Sequence, residues 1–246
     1  MEQEKRGIYV NTKKTKISFA AAWLAAYLAG VKISGILSGI IGIQNLGQAI
    51  FRACFVIVMI LYLKKRETLE FYGIRSLKNL DGRGTFYFIP FVLLVVVPFC
   101  FGIQNSEPLG QIVLIAFNVL CVGFIEEMIM RVFLFKALMK WGAGIAIAIS
   151  SSVFGLVHIV NLFGGADVFY TLLQIIFACA IGFVFAVFFY KTENIIPCIL
   201  CHGLLDVGNI FWKEDVQTVS VIFGLLILIS VFYGVYLLKT KRKLLK

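Results

Sequence analysis

The feature that most constrains this chain is its succession of long apolar runs separated by short polar breaks. Spanning a bilayer as a helix takes about 20 apolar residues, and such a segment must satisfy its own backbone hydrogen bonds. Eight runs fit that description, with ends loose by several residues: 17–37, 46–63, 86–103, 110–135, 143–161, 168–190, 194–211 and 217–238. At 246 residues, 61% hydrophobic and 15% charged, the chain has more apolar surface than one soluble core can enclose. A soluble enzyme, a disordered chain and a fibrous protein are excluded. The expected fold is all-α: a polytopic membrane helix bundle of about eight transmembrane helices, forming a single integral membrane domain over residues 1–246. Lys32 and several glycines interrupt the first run, whose basic flank is like that of a signal peptide. With seven more runs behind it, it reads as a signal anchor.

The net charge of +10 is concentrated in clusters between the runs. With the N-terminus placed in the cytoplasm, 19 of the 23 Lys and Arg fall in inner segments: 1–16, 64–84, 136–142, Lys191 and 239–246. The outer loops hold only Lys213, while Lys32, Arg52 and Arg131 lie inside runs. The positive-inside rule then puts both termini in the cytoplasm. No basic face carries interleaved aromatics, so the expected partner is the bilayer and no nucleic acid. In a prokaryote that bilayer is the plasma membrane. The polar loop 64–84 reads either as an interfacial helix docking substrate or headgroups, or as a solvated connector with topogenic charge; the second is favoured. All six cysteines lie in apolar runs, where free Cys acts as a small hydrophobe, and no disulfide framework is implied.

With no soluble domain, any chemistry must sit in the membrane helices. A charge at mid-bilayer costs about 2.5–3.5 kcal/mol on insertion scales, yet runs four to seven contain Glu126, Glu127, Arg131 and Asp206. They also contain both histidines of the chain, His158 and His202. These groups must face a shared polar interior. Glu127 and Arg131 are i, i+4 on one helix face and can form an ion pair. Glu126 sits about 100° around the helix, outside that pair, and is the candidate general base. One ion pair would suffice to staple helices, which makes the second carboxylate a functional candidate. Phe154 shares a face with His158 and can wall a site beside it. His202 and Asp206 are again i, i+4, and the carboxylate can fix the imidazole tautomer. Gly203 and Gly208 permit close helix approach, and Asn209 can add a donor.

Two patterns are decoys. Cys198-Ile-Leu-Cys201-His202 has the spacing of c-type haem attachment but lies within an apolar helix. Gly164-Gly165-Ala166-Asp167 is a short outer loop, only loosely like an intramembrane aspartyl protease motif.

Together, Glu126-Glu127-x-x-x-Arg131, Phe154-x-x-x-His158 and His202-x-x-x-Asp206, in that order on successive apolar segments, resemble the CPBP family of CAAX prenyl proteases and bacteriocin-processing enzymes. Residues 190–202 also look like the family's approach to its last motif, and the resemblance covers about 110–210, the catalytic core. It implies an eight-helix intramembrane endopeptidase whose site opens toward the cytoplasmic side, acting on membrane-associated substrates of prenylated CAAX or bacteriocin-precursor type. Carried onto this sequence, Glu126 activates a water that His158 helps position, and His202 stabilises the oxyanion. Glu127 and Arg131 hold the constellation. The family commonly has Asn where this chain has Asp206. An ionised Asp cannot donate to an oxyanion, so its expected part is to orient His202 or to bind a metal. A glutamate-dependent mechanism without a metal cofactor is favoured; Zn²⁺ held by His158, His202 and Glu126 is the alternative. The rival readings are a non-catalytic membrane scaffold or self-immunity protein, and an ion- or proton-coupled transporter.

Depth offers a check. At 1.5 Å per residue from the expected inner ends, Glu126 lies about 15 Å deep, His202 about 12 Å and His158 about 22 Å. The first two agree and the third does not.

Overall fold

The computed structural model describes residues 16–76, 87–212 and 215–240. The basic N-terminal segment, residues 77–84 of the polar loop, Lys213 and the C-terminal basic cluster lie outside the described residues.

Among the described residues the fold is entirely helical. The helices are α1 (Ile17–Ile41), α2 (Leu46–Arg66), α3 (Ile89–Val96), α4 (Leu109–Glu127), α5 (Lys136–Leu138), α6 (Ala143–Leu156), α7 (Val168–Thr192), α8 (Ile196–Asn209) and α9 (Val216–Lys239). A π-helix, Met128–Phe135, joins α4 to α5, and 3₁₀ turns extend α3, α5 and α6. Six helical stretches are long and apolar enough to cross a bilayer: Ile17–Ile41, Leu46–Arg66, Leu109–Trp141, Ala143–Gly164, Val168–Thr192 and Val216–Lys239. The chain is a multi-pass membrane protein. Large side chains such as Ile40, Phe163 and Phe232 stand exposed on its outer surface, a pattern that suits lipid rather than water.

Two of the eight expected spans are shorter than a full crossing: Ile89–Phe101 and Ile196–Asn209. Proline sets both. Pro90 opens α3, and Pro98 begins the 3₁₀ turn that ends it. Pro197 fixes the start of α8, where its missing N–H costs nothing. The residues before α8, Asn194 and Ile195, are buried in a link rather than in the helix.

Other starts are set by capping. Asp167 accepts from the Tyr170 amide at 3.0 Å to begin α7, and Asp215 accepts from the Thr218 amide at 2.8 Å to begin α9. The suspected protease-like GGAD loop therefore ends in an N-cap.

α7 lies at the centre, packed on α6 and α9, while α4 packs on α2 and α8. The core is aromatic: Phe91 contacts Phe185, Phe188 and Tyr233, and Phe135 contacts Phe189. A satellite cluster of Phe19, Trp23, Phe55, Tyr62 and Phe133 fixes α1 and α2 to the π-helix.

The expectation of a solvated connector at 64–84 is corrected for its first part. Leu69–Tyr72 forms a 3₁₀ turn that docks on the link between α7 and α8. The Ile195 amide donates to Gly73 O at 2.8 Å, Asn194 Nδ2 to Arg75 O at 3.1 Å, and Lys136 Nζ to Phe71 O at 2.8 Å. Lys136, expected in a polar inner loop, is instead buried among Phe71, Tyr72 and Phe189. Its charge is stabilised by those ring faces and one carbonyl. Tyr72, half-buried in this contact, has its phenol pKa raised by desolvation.

These features remove the depth mismatch. The helix carrying Glu126 runs unbroken to Trp141, six residues past its expected end at 135. Counted from Trp141, Glu126 lies about 22 Å deep, and His158 counted from Ala143 also lies about 22 Å deep.

Candidate active site

Three helices bring the predicted residues together. α4 supplies Glu126 and Glu127 at its end, and α8 supplies His202 and Asp206. The two helices cross where glycine faces glycine: a Cβ on Gly123 would lie 2.9 Å from Gly203 N, and one on Gly203 would lie 3.0 Å from Leu120 Cδ2. That close approach puts the carboxylates within reach of the imidazole. Gly208 has ordinary room around it, so the expected role in close packing falls to Gly203 alone. α6 and its 3₁₀ extension bring Phe154 and His158.

His202 is the hub. Its Nδ1 donates toward Glu127 Oε1 at 3.2 Å, while Nε2 faces Asp206 Oδ2 at 3.5 Å and Glu126 Oε2 at 4.0 Å. The imidazole is thus held on one nitrogen and presented on the other. Asp206 reaches His202 as its spacing predicted, but at Nε2, whereas Glu127 holds Nδ1. One helical turn along α8 carries Asp206 past the ring to its Nε2 face.

Glu127 is fully buried, and its Oε2 lies 3.2 Å from Arg131 Nε. The contact is an ion pair without hydrogen-bond geometry, and neither terminal nitrogen of Arg131 has a hydrogen-bond partner. The guanidinium instead lies over the Phe154 ring at 4.6 Å, with Phe185 at 5.8 Å. A buried cation in this setting is stabilised by one carboxylate and two aromatic faces.

Phe154 does more than wall His158. Its ring meets both histidines edge to face, His158 at 5.7 Å and His202 at 5.5 Å. His158 Nδ1 lies 3.0 Å from Phe154 O, so the ring donates there and leaves Nε2 free.

Phe154, His158, His202, Asp206 and Asn209 line one cleft together with apolar side chains such as Phe177, Ile181, Phe185 and Trp212, while Glu126 and Glu127 stand behind His202 and are not part of its lining. The resemblance implied an opening toward the cytoplasmic side. The cleft's lining follows α8 from His202 past Asp206 to Asn209 and on to Trp212.

Several participants carried no signal in the sequence. Phe185 packs on His202 at 6.2 Å and beneath Arg131, but it is one of 24 phenylalanines. Gly182 is a socket: a Cβ there would lie 2.9 Å from Phe154 Cδ1 and 3.5 Å from Arg131 Nη2. Arg52, one of three basic residues inside the expected spans, could have been flagged. It donates to Asn118 Oδ1 at 2.8 Å, and Asn118 Nδ2 donates on to Asn45 O at 3.1 Å. The haem-like cysteines are packed, with Cys198 Sγ 3.7 Å from Phe185 O and Cys201 Sγ 3.9 Å from Phe91 O. Among the described residues no three His, Cys, Asp or Glu side chains are grouped to hold a metal ion.

The family model described as Rce1-like, type II CAAX prenyl endopeptidase Rce1-like, matches residues 108–208. That segment carries every candidate site residue except Asn209. No curated protein and no solved structure matches the chain.

Proposed function

We propose that this chain, whose residues 108–208 are similar to the Rce1-like type II CAAX prenyl endopeptidases, is a glutamate-dependent intramembrane peptidase with these roles. Glu126, part-exposed 4.0 Å from His202 Nε2, takes a proton from a water beside that nitrogen as the hydroxide adds to the scissile carbonyl. His202 Nε2 donates to the oxyanion that forms. Glu126 then returns the proton to the leaving amine, so the carboxylate is regenerated. For Nε2 to donate while Nδ1 holds Glu127, the ring carries hydrogens on both nitrogens, with Glu126, Glu127 and Asp206 as counter-charges. His158, free at Nε2, accepts from the water and positions it. Glu127 and Arg131 hold the imidazole in place, and Asp206 and Asn209 line the substrate side.

The single observation that carries this reading is the asymmetry of His202, pinned by a buried carboxylate on one nitrogen and facing two part-exposed carboxylates with the other. A transporter has no need of such a fixed donor, and a scaffold has no need of three carboxylates on one ring. The substrate class is a membrane-associated polypeptide; CAAX-type and bacteriocin-type precursors both fit it. The test compares new protein termini in membranes containing wild-type chain or Glu126→Gln at matched levels. The reading expects termini made only by wild type. Identical sets would overturn it and favour a scaffold or transporter.

A further inference from the structure

Three carboxylates, Glu126, Glu127 and Asp206, face the His202 ring. Arg131 and a ring carrying hydrogens on both nitrogens offset two of them. One negative charge remains among the helices, where an unmatched charge is costly. Among the described residues, Arg52 of α2 is the cation placed to match it.

Arg52 sits about 9 Å from the start of a membrane-crossing helix, and its own hydrogen bonds go to neutral groups. Nη1 donates to Asn118 Oδ1 at 2.8 Å, and the guanidinium also donates to the Tyr27 hydroxyl of α1. Nε is buried without a hydrogen-bond partner. Asn118 is itself fixed, because its Nδ2 donates to Asn45 O at 3.1 Å and Leu114 O at 3.2 Å. Tyr27 is buried against the rings of Phe51 and Phe55. The guanidinium is therefore held in place but not neutralised by what holds it.

The helix crossing shows what the charge meets. α4 and α8 run antiparallel through their glycine contact, Gly123 lying against Ile199 and Gly203, and Leu120 against Gly203. Moving back along α4 from Leu120 and forward along α8 from Gly203 brings Asn118 and Asp206 to about the same level. Arg52, tied to Asn118, stands at that level too, and it interacts electrostatically with Asp206. Tyr27 feels Arg52, Glu126 and Asp206 together. Tyr27 and Arg52 both lie outside the residues 108–208 that match the family model.

We infer that Arg52, held by Asn118 and Tyr27, is a positioning residue of the site: its charge balances Asp206 and keeps that carboxylate from capturing His202 Nε2. Asp206 already stands 3.5 Å from this nitrogen, and a carboxylate with no other counter-charge would close on it. With Arg52 in place, the Nε2 hydrogen is left for the oxyanion. This rests on the peptidase reading above and gives α1 and α2 a part in it.

The test has two readouts, only one of which depends on cleavage. The first is the nitrogen NMR spectrum of histidine-labelled protein in detergent. The chain has two histidines, and His202→Ala tells their signals apart. Arg52→Gln should move the His202 Nε2 resonance as Asp206 closes on it, while Nδ1, held by Glu127, stays in place; Arg52→Lys should move Nε2 less. An Nε2 resonance that does not move with Arg52→Gln overturns the proposal. The second readout is the initial rate at which Glu126-dependent termini appear. Arg52→Gln should lower that rate about tenfold, and by less than about threefold in an Asp206→Asn background, since the two residues are coupled. Arg52→Lys should recover most of the rate. Equal losses in the two backgrounds, or a lysine variant no better than glutamine, would also overturn the role. Should Arg52→Gln fail to fold, Tyr27→Phe, which releases one side of the guanidinium and keeps the ring, should move the same resonance, and a fixed resonance there counts equally against the proposal. Absence of any Glu126-dependent termini would remove the peptidase reading and leave the pairing of Arg52 with Asp206 to stand or fall on the nitrogen spectrum. An unmoved resonance with the termini intact would remove the role of Arg52 alone.

Discussion

At Glu126 and Glu127 two identical side chains, adjacent in sequence, meet different surroundings. Glu127 is enclosed by Arg131 and His202, and Glu126 is part-exposed beside the cleft. The proposed roles follow from that difference, folding for Glu127 and Arg131 and chemistry for Glu126. Arg131→Ala leaves the Glu127 carboxylate buried with one partner fewer and empties the space over Phe154. The expected loss is about 3–5 kcal/mol, read as a fall in thermal midpoint of the detergent-solubilised protein. His202→Ala removes the proposed oxyanion donor and should lower the rate by about 10²–10³ in an assay of Glu126-dependent cleavage. This part of the site was legible in the sequence, because a charge or an imidazole in an apolar run stands out against its cost. The finer assignment was not. Spacing put Asp206 on the same helix face as His202, but which carboxylate holds which nitrogen depends on how α4 crosses α8.

Among the elements, the crossing of α4 and α8 and the docked turn over α8 decide the geometry. Gly203→Val would force the helices apart at the level of His202. Overpacking of this kind costs about 1–3 kcal/mol, and cleavage should fall further than stability because the Glu126 to His202 spacing opens. Gly182→Ala presses on Phe154, which touches both histidines, so it should lower activity with little change in thermal midpoint. At the other end, Lys136→Met keeps the chain length and removes the charge that holds Phe71 O. Hydrogen exchange at residues 69–76 should speed up while α4 and α7 stay protected. Helix positions were readable from apolar runs. The π-helix was not, because eight consecutive apolar and basic residues look the same in either winding, and its continuation to Trp141 displaced the expected inner end.

For the whole molecule, the described helices gather the carboxylates of α4 and α8 around His202, with a cleft lined by His158, His202, Asp206 and Asn209 beside them. Length, hydropathy and charge bias foresaw a polytopic helical membrane protein, since each span must satisfy its own backbone. They could not foresee which spans are shortened by Pro90, Pro98 and Pro197, nor which side chains line the cleft, because both depend on packing between helices far apart in the chain.

The central claim is the division of labour between the paired carboxylates. The most direct measurement records new termini and thermal midpoint together for wild type, Glu126→Gln and Glu127→Gln expressed at equal levels. The account predicts that Glu126→Gln abolishes the termini and leaves the midpoint within a few degrees of wild type, while Glu127→Gln lowers the midpoint sharply. Undiminished termini with Glu126→Gln, or equal loss of stability in both variants, would contradict it.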